Sequence, residues 1–187
     1  MDISTKQSLS ASGAACGRAT INAGRTLENL YHIEARNAQG KLLWTEEFKN
    51  AVVTDGLNDS LTKHLKGSNY TAAWYVGLTD GTPTVDPTDV MNSHAGWVEV
   101  VAVDEATRQA LTLGSAAAGS IDNTAAKAVY TISTNATVVG GAFITSGSAL
   151  SGTSGILYGA GAFTGGDKTL SDGDTLTITI TCTAAAA

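Results

Sequence analysis

Three carboxylates, Asp80, Asp86 and Asp89, and one imidazole, His94, fall within the fifteen residues DGTPTVDPTDVMNSH. Carboxylates at that density can hold a calcium ion together with loop carbonyls, although the DxDxDG order of an EF-hand followed by a distal Glu is missing. The same residues, beside Pro83, Pro87 and Gly81, also suit turn and capping chemistry, which is the simpler account. Ser93 and His94 near Asp89 supply the residue types of a hydrolytic triad, but adjacent Ser and His side chains normally point apart. His94 therefore reads as a hydrogen-bonding loop residue, and the segment as a contact loop.

The other reactive residue types are dispersed. His32, His64 and His94 fall in a strand, a helix end and a loop, without the short spacing of a zinc site. Cys16 and Cys182 form no CxxC pair; a disulfide between them is conceivable, and two free thiols are the expected state. The chain has no GxSxG elbow, HExxH or phosphate loop. The glycine series Gly159 to Gly165 is one residue too long for GxGxxG and precedes a turn, so a dinucleotide cofactor is not expected. No carboxylate pair for glycoside hydrolysis can be singled out. The expectation is a protein without enzymatic activity, cofactor or resident metal. Trp74, Tyr75 and Trp97 could stack on a sugar, but tryptophans in strand-like segments more often pack a core.

The elements that must position these residues are mostly strands. NLYHIEAR (29–36) and KLLWTEEF (41–48) alternate around the turn Asn37-Ala38-Gln39-Gly40, a hairpin with Trp44 and Phe48 on one face. TDGLNDSLTKHLKG is the one convincing helix: Thr54 is placed to cap it, Asp55 and Asp59 suit its N-terminal dipole, Leu57, Leu61 and Leu65 recur every fourth residue, and Gly67 closes it. A helix of about three turns is expected to cover one edge or face of a sheet. AAWYVGLT (72–79) and GWVEVVAV (96–103) read as core strands flanking the acidic loop. Further strands are expected at 110–114, 127–133, 137–145, 155–161 and 174–182. The last alternates Leu176, Ile178, Ile180 and Cys182 with threonines, as a strand with one wet face should. Gly140-Gly141 and Gly165-Gly166 suggest bulges or close backbone approaches. The segment 183–187 carries no signal.

About eight short strands with one helix argue for a mainly β fold, an antiparallel, jelly-roll-like β-sandwich over residues 29–187. Residues 1–28, rich in Ser, Ala, Gly and Thr, read as an extended N-terminal arm without a core of its own. The 187 residues suffice for one domain that buries roughly 70% of its unfolded surface. Eleven basic against 17 acidic groups give a net charge of −6, which disfavours a nucleic-acid partner. Residues 1–50 carry +1 and the remainder −7, so the arm, with Lys6, Arg18 and Arg25, is the part least repelled by an acidic partner. No apolar run reaches the roughly 18 residues of a membrane span. The start of the chain lacks the apolar region of a signal peptide, despite an Ala-Ser-Gly-Ala-Ala-Cys sequence that superficially suggests lipoprotein processing.

GLNDSLTKHLKGS, YTAAWYVGLTDG, SHAGWVEV, VGGAFIT, GILYGAGAFTGGDK and GDTLTITIT, within about residues 30–182, resemble a group of small virion proteins of tailed double-stranded-DNA bacteriophages. The resemblance implies a virion structural protein, assembled in the host cytoplasm. A capsid decoration or cement protein on the outer head surface is the leading expectation, with the major capsid protein or other virion proteins as partners and a symmetric homo-oligomer as its state. A tail- or fibre-associated protein is the alternative, and a carbohydrate-binding module is the alternative of a different class. The partner-binding candidates are Lys6, Arg18 and Arg25 of the arm and Asp80, Asp86, Asp89 and His94 of the loop.

Overall fold

The computed structural model describes residues 25–66 and 73–186. Its strands, all antiparallel, form two main sheets. The first has the order β2 (Leu42–Lys49), β1 (Arg25–Arg36), β12 (Thr175–Ala186), with β6 (Ser120–Asp122) and β7 (Ala128–Thr131) sharing the far edge of β12. The second has the order β3 (Ala51–Val52), β10 (Leu157–Ala162), β9 (Gly141–Thr145), β4 (Tyr75–Thr79), β5 (Gln109–Ala110). A small ribbon pairs β8 (Thr137–Val139) with β11 (Lys168–Leu170). The single described helix is α1, Thr54–Lys66.

Period-two alternation explains the layering. On β12, Leu176, Ile178 and Ile180 are buried while the intervening threonines are half-exposed. On β1, Tyr31, Ile33 and Ala35 point the same way, in register with Ile180, Ile178 and Leu176. They meet Val76 and Leu78 of β4 and Ala142 and Ile144 of β9 in one core, so the two sheets stack as a mainly β sandwich. Tyr31 stacks on Phe48 (4.8 Å between centroids), which meets Phe163 at 5.3 Å and so closes one flank between the sheets.

Asn123 repairs the break between β6 and β7. Its buried amide donates to the Ile178 carbonyl (3.2 Å) and accepts from the Ile180 N–H (2.7 Å), taking the place of strand partners that the chain reversal removes.

A second apolar cluster lies on the other side of the second sheet. Phe143 alternates with Ala142 and Ile144, so it faces away from the main core and packs with Val53, Met91, Trp97, Leu157 and Ala160. Gly77 on the neighbouring strand must be glycine, because a β-carbon there would run into the Phe143 ring. Gly140 and Gly141 are the expected close approaches: β-carbons there would strike Gly81, Thr82 and Pro83 of the acidic loop and the Gly161 carbonyl.

Several expected boundaries move. β1 begins at Arg25, and Arg25 to Glu28 pair with Thr183 to Ala186, so four residues assigned to the arm and a signal-free tail complete one another as strands. Residues 137–145 split at Gly140, and β3, β6 and β11 are short strands that the sequence does not announce. Residues 96–103 are not a strand. The Val100 N–H bonds to the Leu78 carbonyl in the second sheet, while Val103 bridges Ile132 beside the first. A segment crossing from one sheet to the other never keeps one partner long enough to form a ladder.

Candidate interaction surface

The acidic loop folds back on itself. Asp80 N–H bonds to the Val98 carbonyl (2.9 Å), Thr84 N–H to Gly96 (3.0 Å), and Val90 and Ser93 exchange two bonds at the tip. Its carboxylates serve this shape. Asp86 accepts the N–H and hydroxyl of Thr88, which hold its carboxyl below the ordinary carboxylate range, and buried Asp89 accepts the Asp86 N–H at 3.0 Å. Asp80 is exposed. Among the described residues, no three His, Cys, Asp or Glu side chains gather into a metal-holding group.

His94 lies flat on Trp97, with ring centroids 3.8 Å apart and planes 14° from parallel, and Phe143 packs against the same indole at 4.7 Å. Trp97 is only 6% exposed, so it has no open face for a sugar, and it belongs to the outer cluster instead of the sandwich core. Trp74 is half-buried, edge-on to Tyr158 at 5.3 Å. The Trp97 indole N–H is buried without a hydrogen-bond partner.

Beside this stack a cleft of about 170 Å³ is lined by Met91, His94, Trp97, Val98, Arg108 and Thr153, among others. Its polar floor is already committed. Arg108 grips Glu99 through two 2.8 Å bonds, donates to the Gly147 and Gly152 carbonyls at 2.8 and 2.9 Å, and lies over the Phe143 ring. Glu99 also accepts the Ser151 N–H at 2.7 Å. This buried pair, with side chains 1% and 6% exposed, staples the 147–152 loop to the crossing segment. Volumes of small-molecule pockets start near ~300 Å³, and the cleft falls below that. Sequence reasoning missed Arg108 and Glu99 because nothing marks them as partners before the fold brings them together.

The most unusual surface belongs to α1. Its first turn is docked: Thr54 N–H bonds to the Pro87 carbonyl (2.9 Å), and the Asp55 carboxylate accepts the Leu157 N–H (3.1 Å). Thr54 is thus inside the helix, its N–H satisfied by the loop, where a side-chain cap was expected. Gly56 is buried against β10, where a β-carbon would meet the Tyr158 backbone, and Asp59, Ser60 and Lys63 share its side of the helix. Asp59 and Lys63 form an i,i+4 ion pair at 3.7 Å. The helix lies against the sheet at β10 as expected, and its leucine stripe faces away from the body: Leu57, Leu61 and Leu65 are 42%, 56% and 81% exposed.

Of the remaining candidates, Arg25 opens β1 opposite Ala186. Lys6 and Arg18 lie outside the described residues, as does the side chain of His64. His32 lies on β1 with its imidazole 3.8 Å from Glu34. His94 and Asp89 lie in one loop. No described helix is long and apolar enough to cross a membrane. Comparison with known protein families, with curated proteins and with solved structures finds no match to this chain.

Proposed function

We propose that this chain is a virion structural protein of a tailed bacteriophage, a decoration or cement subunit that binds the outer surface of the head and stabilises it. The observation that carries the reading is the outward leucine face of α1. Leaving one leucine in water forgoes roughly 1.5–3 kcal/mol relative to burying it, so three in a row on one short helix mark a surface made to be covered by protein. The sequence resemblance to phage virion proteins supplies the setting. The committed polar groups around the cleft favour a binding protein over a catalyst. On a shell, each copy adds interface that exists only after assembly, so small contacts repeated over the lattice stabilise the whole.

The test is co-sedimentation with purified expanded heads that lack this protein. Saturable binding at a fixed number of copies per capsomer, with heads becoming harder to disrupt by heat, is the expected result. No binding to heads, with immunogold labelling confined to the tail, assigns the protein to the tail instead.

A further inference from the structure

We infer that the outward face of α1 is a self-contact, in which two copies of this chain meet through antiparallel α1 helices about a two-fold axis beside Leu61. The inference rests on reading that face as a protein-binding surface, and it adds the occupant.

The stripe matches itself. Leu57, Leu61 and Leu65 recur at i, i+4 and i+8, along one side of the helix and symmetric about Leu61. Reversing a second helix about that centre sets each Leu57 opposite a Leu65 and each Leu61 opposite its own counterpart. A surface complementary to itself under a two-fold closes after two copies. Leu61, Thr62, Leu65 and Lys66 border a shallow depression at the C-terminal end of α1, where the Leu57 of the other copy arrives.

The charges agree with the same arrangement. Copies of a chain with net charge −6 repel, yet the described residues of α1 set no carboxylate on this face. Asp55 is bonded to Leu157 and Asp59 is paired with Lys63 on the flank towards the body. The exposed neighbours Thr54, Asn58 and Thr62 are uncharged. Antiparallel pairing opposes the two helix dipoles. A lone helix pair buries less than the ~1,000 Å² of a durable interface, so the contact is weak in solution and gains strength when a lattice holds many copies.

The test is sedimentation velocity on the purified full chain over a concentration series. The expected mass rises from 19.0 kDa towards twice that value. Leu61→Asp, which sets two carboxylates together at the axis, is expected to stay at the monomer mass throughout while its circular dichroism and melting temperature remain those of the parent. Leu61→Cys in a Cys16→Ser background is expected to give a disulfide-linked dimer under mild oxidation, because the two thiols face each other.

A parent chain that stays monomeric at every concentration overturns the inference, as does a dimer that survives Leu61→Asp. So does a thiol, introduced by Leu61→Cys, that is protected in the monomer and becomes reactive only when residues 1–24 are removed, because those residues are then the cover. If the protein is monomeric yet binds heads in a Leu61-dependent way, the self-contact fails and the virion reading stands. If it dimerises through Leu61 but ignores heads and tails, the virion reading fails and the self-contact stands.

Discussion

The Tyr130 hydroxyl donates a 2.6 Å hydrogen bond to the Val76 carbonyl and so ties β7 of one sheet to β4 of the other through the core. It also accepts the Gln109 N–H at 3.0 Å. One phenol thereby satisfies two backbone groups at the place where β5 begins. Burial pushes this phenol well above the ordinary tyrosine range, so it remains a donor at any ordinary pH.

Tyr130→Phe keeps the ring and removes the oxygen, leaving the Val76 carbonyl and the Gln109 N–H without that partner. The expected loss is about 1–3 kcal/mol, seen in urea unfolding as a lower midpoint with an unchanged slope. Amide hydrogen exchange at Gln109 should accelerate more than at β12.

Arg108 and Glu99 make a sharper case, since each is buried and each neutralises the other. Arg108→Met is expected to cost about 3–5 kcal/mol by stranding the Glu99 carboxylate, and Arg108→Met with Glu99→Leu to recover much of that loss. A double-mutant cycle on thermal or urea unfolding measures the coupling.

Gly56→Ala separates helix propensity from packing. Alanine favours a helix interior by about 1 kcal/mol over glycine, but here the new methyl would meet the Tyr158 backbone. A net loss of about 1–3 kcal/mol is expected from the forced shift of α1. An increase in stability in urea unfolding would show that the helix does not sit tightly on β10.

Burial pushes the Cys182 thiol up to about 11 from its usual 9.0, and the Tyr31 phenol upward as well. The sign follows from linkage: the unfolded chain releases these protons first, so stability is complete below pH 9 and falls as pH rises towards 11, with a slope of up to about 1.4 kcal/mol per pH unit for one group. Unfolding followed from pH 8 to 11 should show this fall, and Cys182→Ala should flatten part of it. At pH 8 Cys182 should react with iodoacetamide far more slowly in the folded chain than in urea.

The hairpin of β1 and β2, the extent of α1 and the alternating face of β12 could be read from period and turn residues alone, because each is fixed by neighbours a few positions away. Gly40, with φ of 79°, turns that hairpin as its position suggested. The mainly β class followed from the same local signals. The tertiary structure decided which face of α1 is buried, since only the approach of β10 to Gly56 ranks a glycine flank above a leucine stripe. It decided that Trp97 packs outside the sandwich beneath His94, and that residues 96–103 cross between sheets, because strand identity depends on a partner far along the chain. It also paired Glu99 with Arg108, whose charges are tolerable in the interior only because the fold sets them 2.8 Å apart.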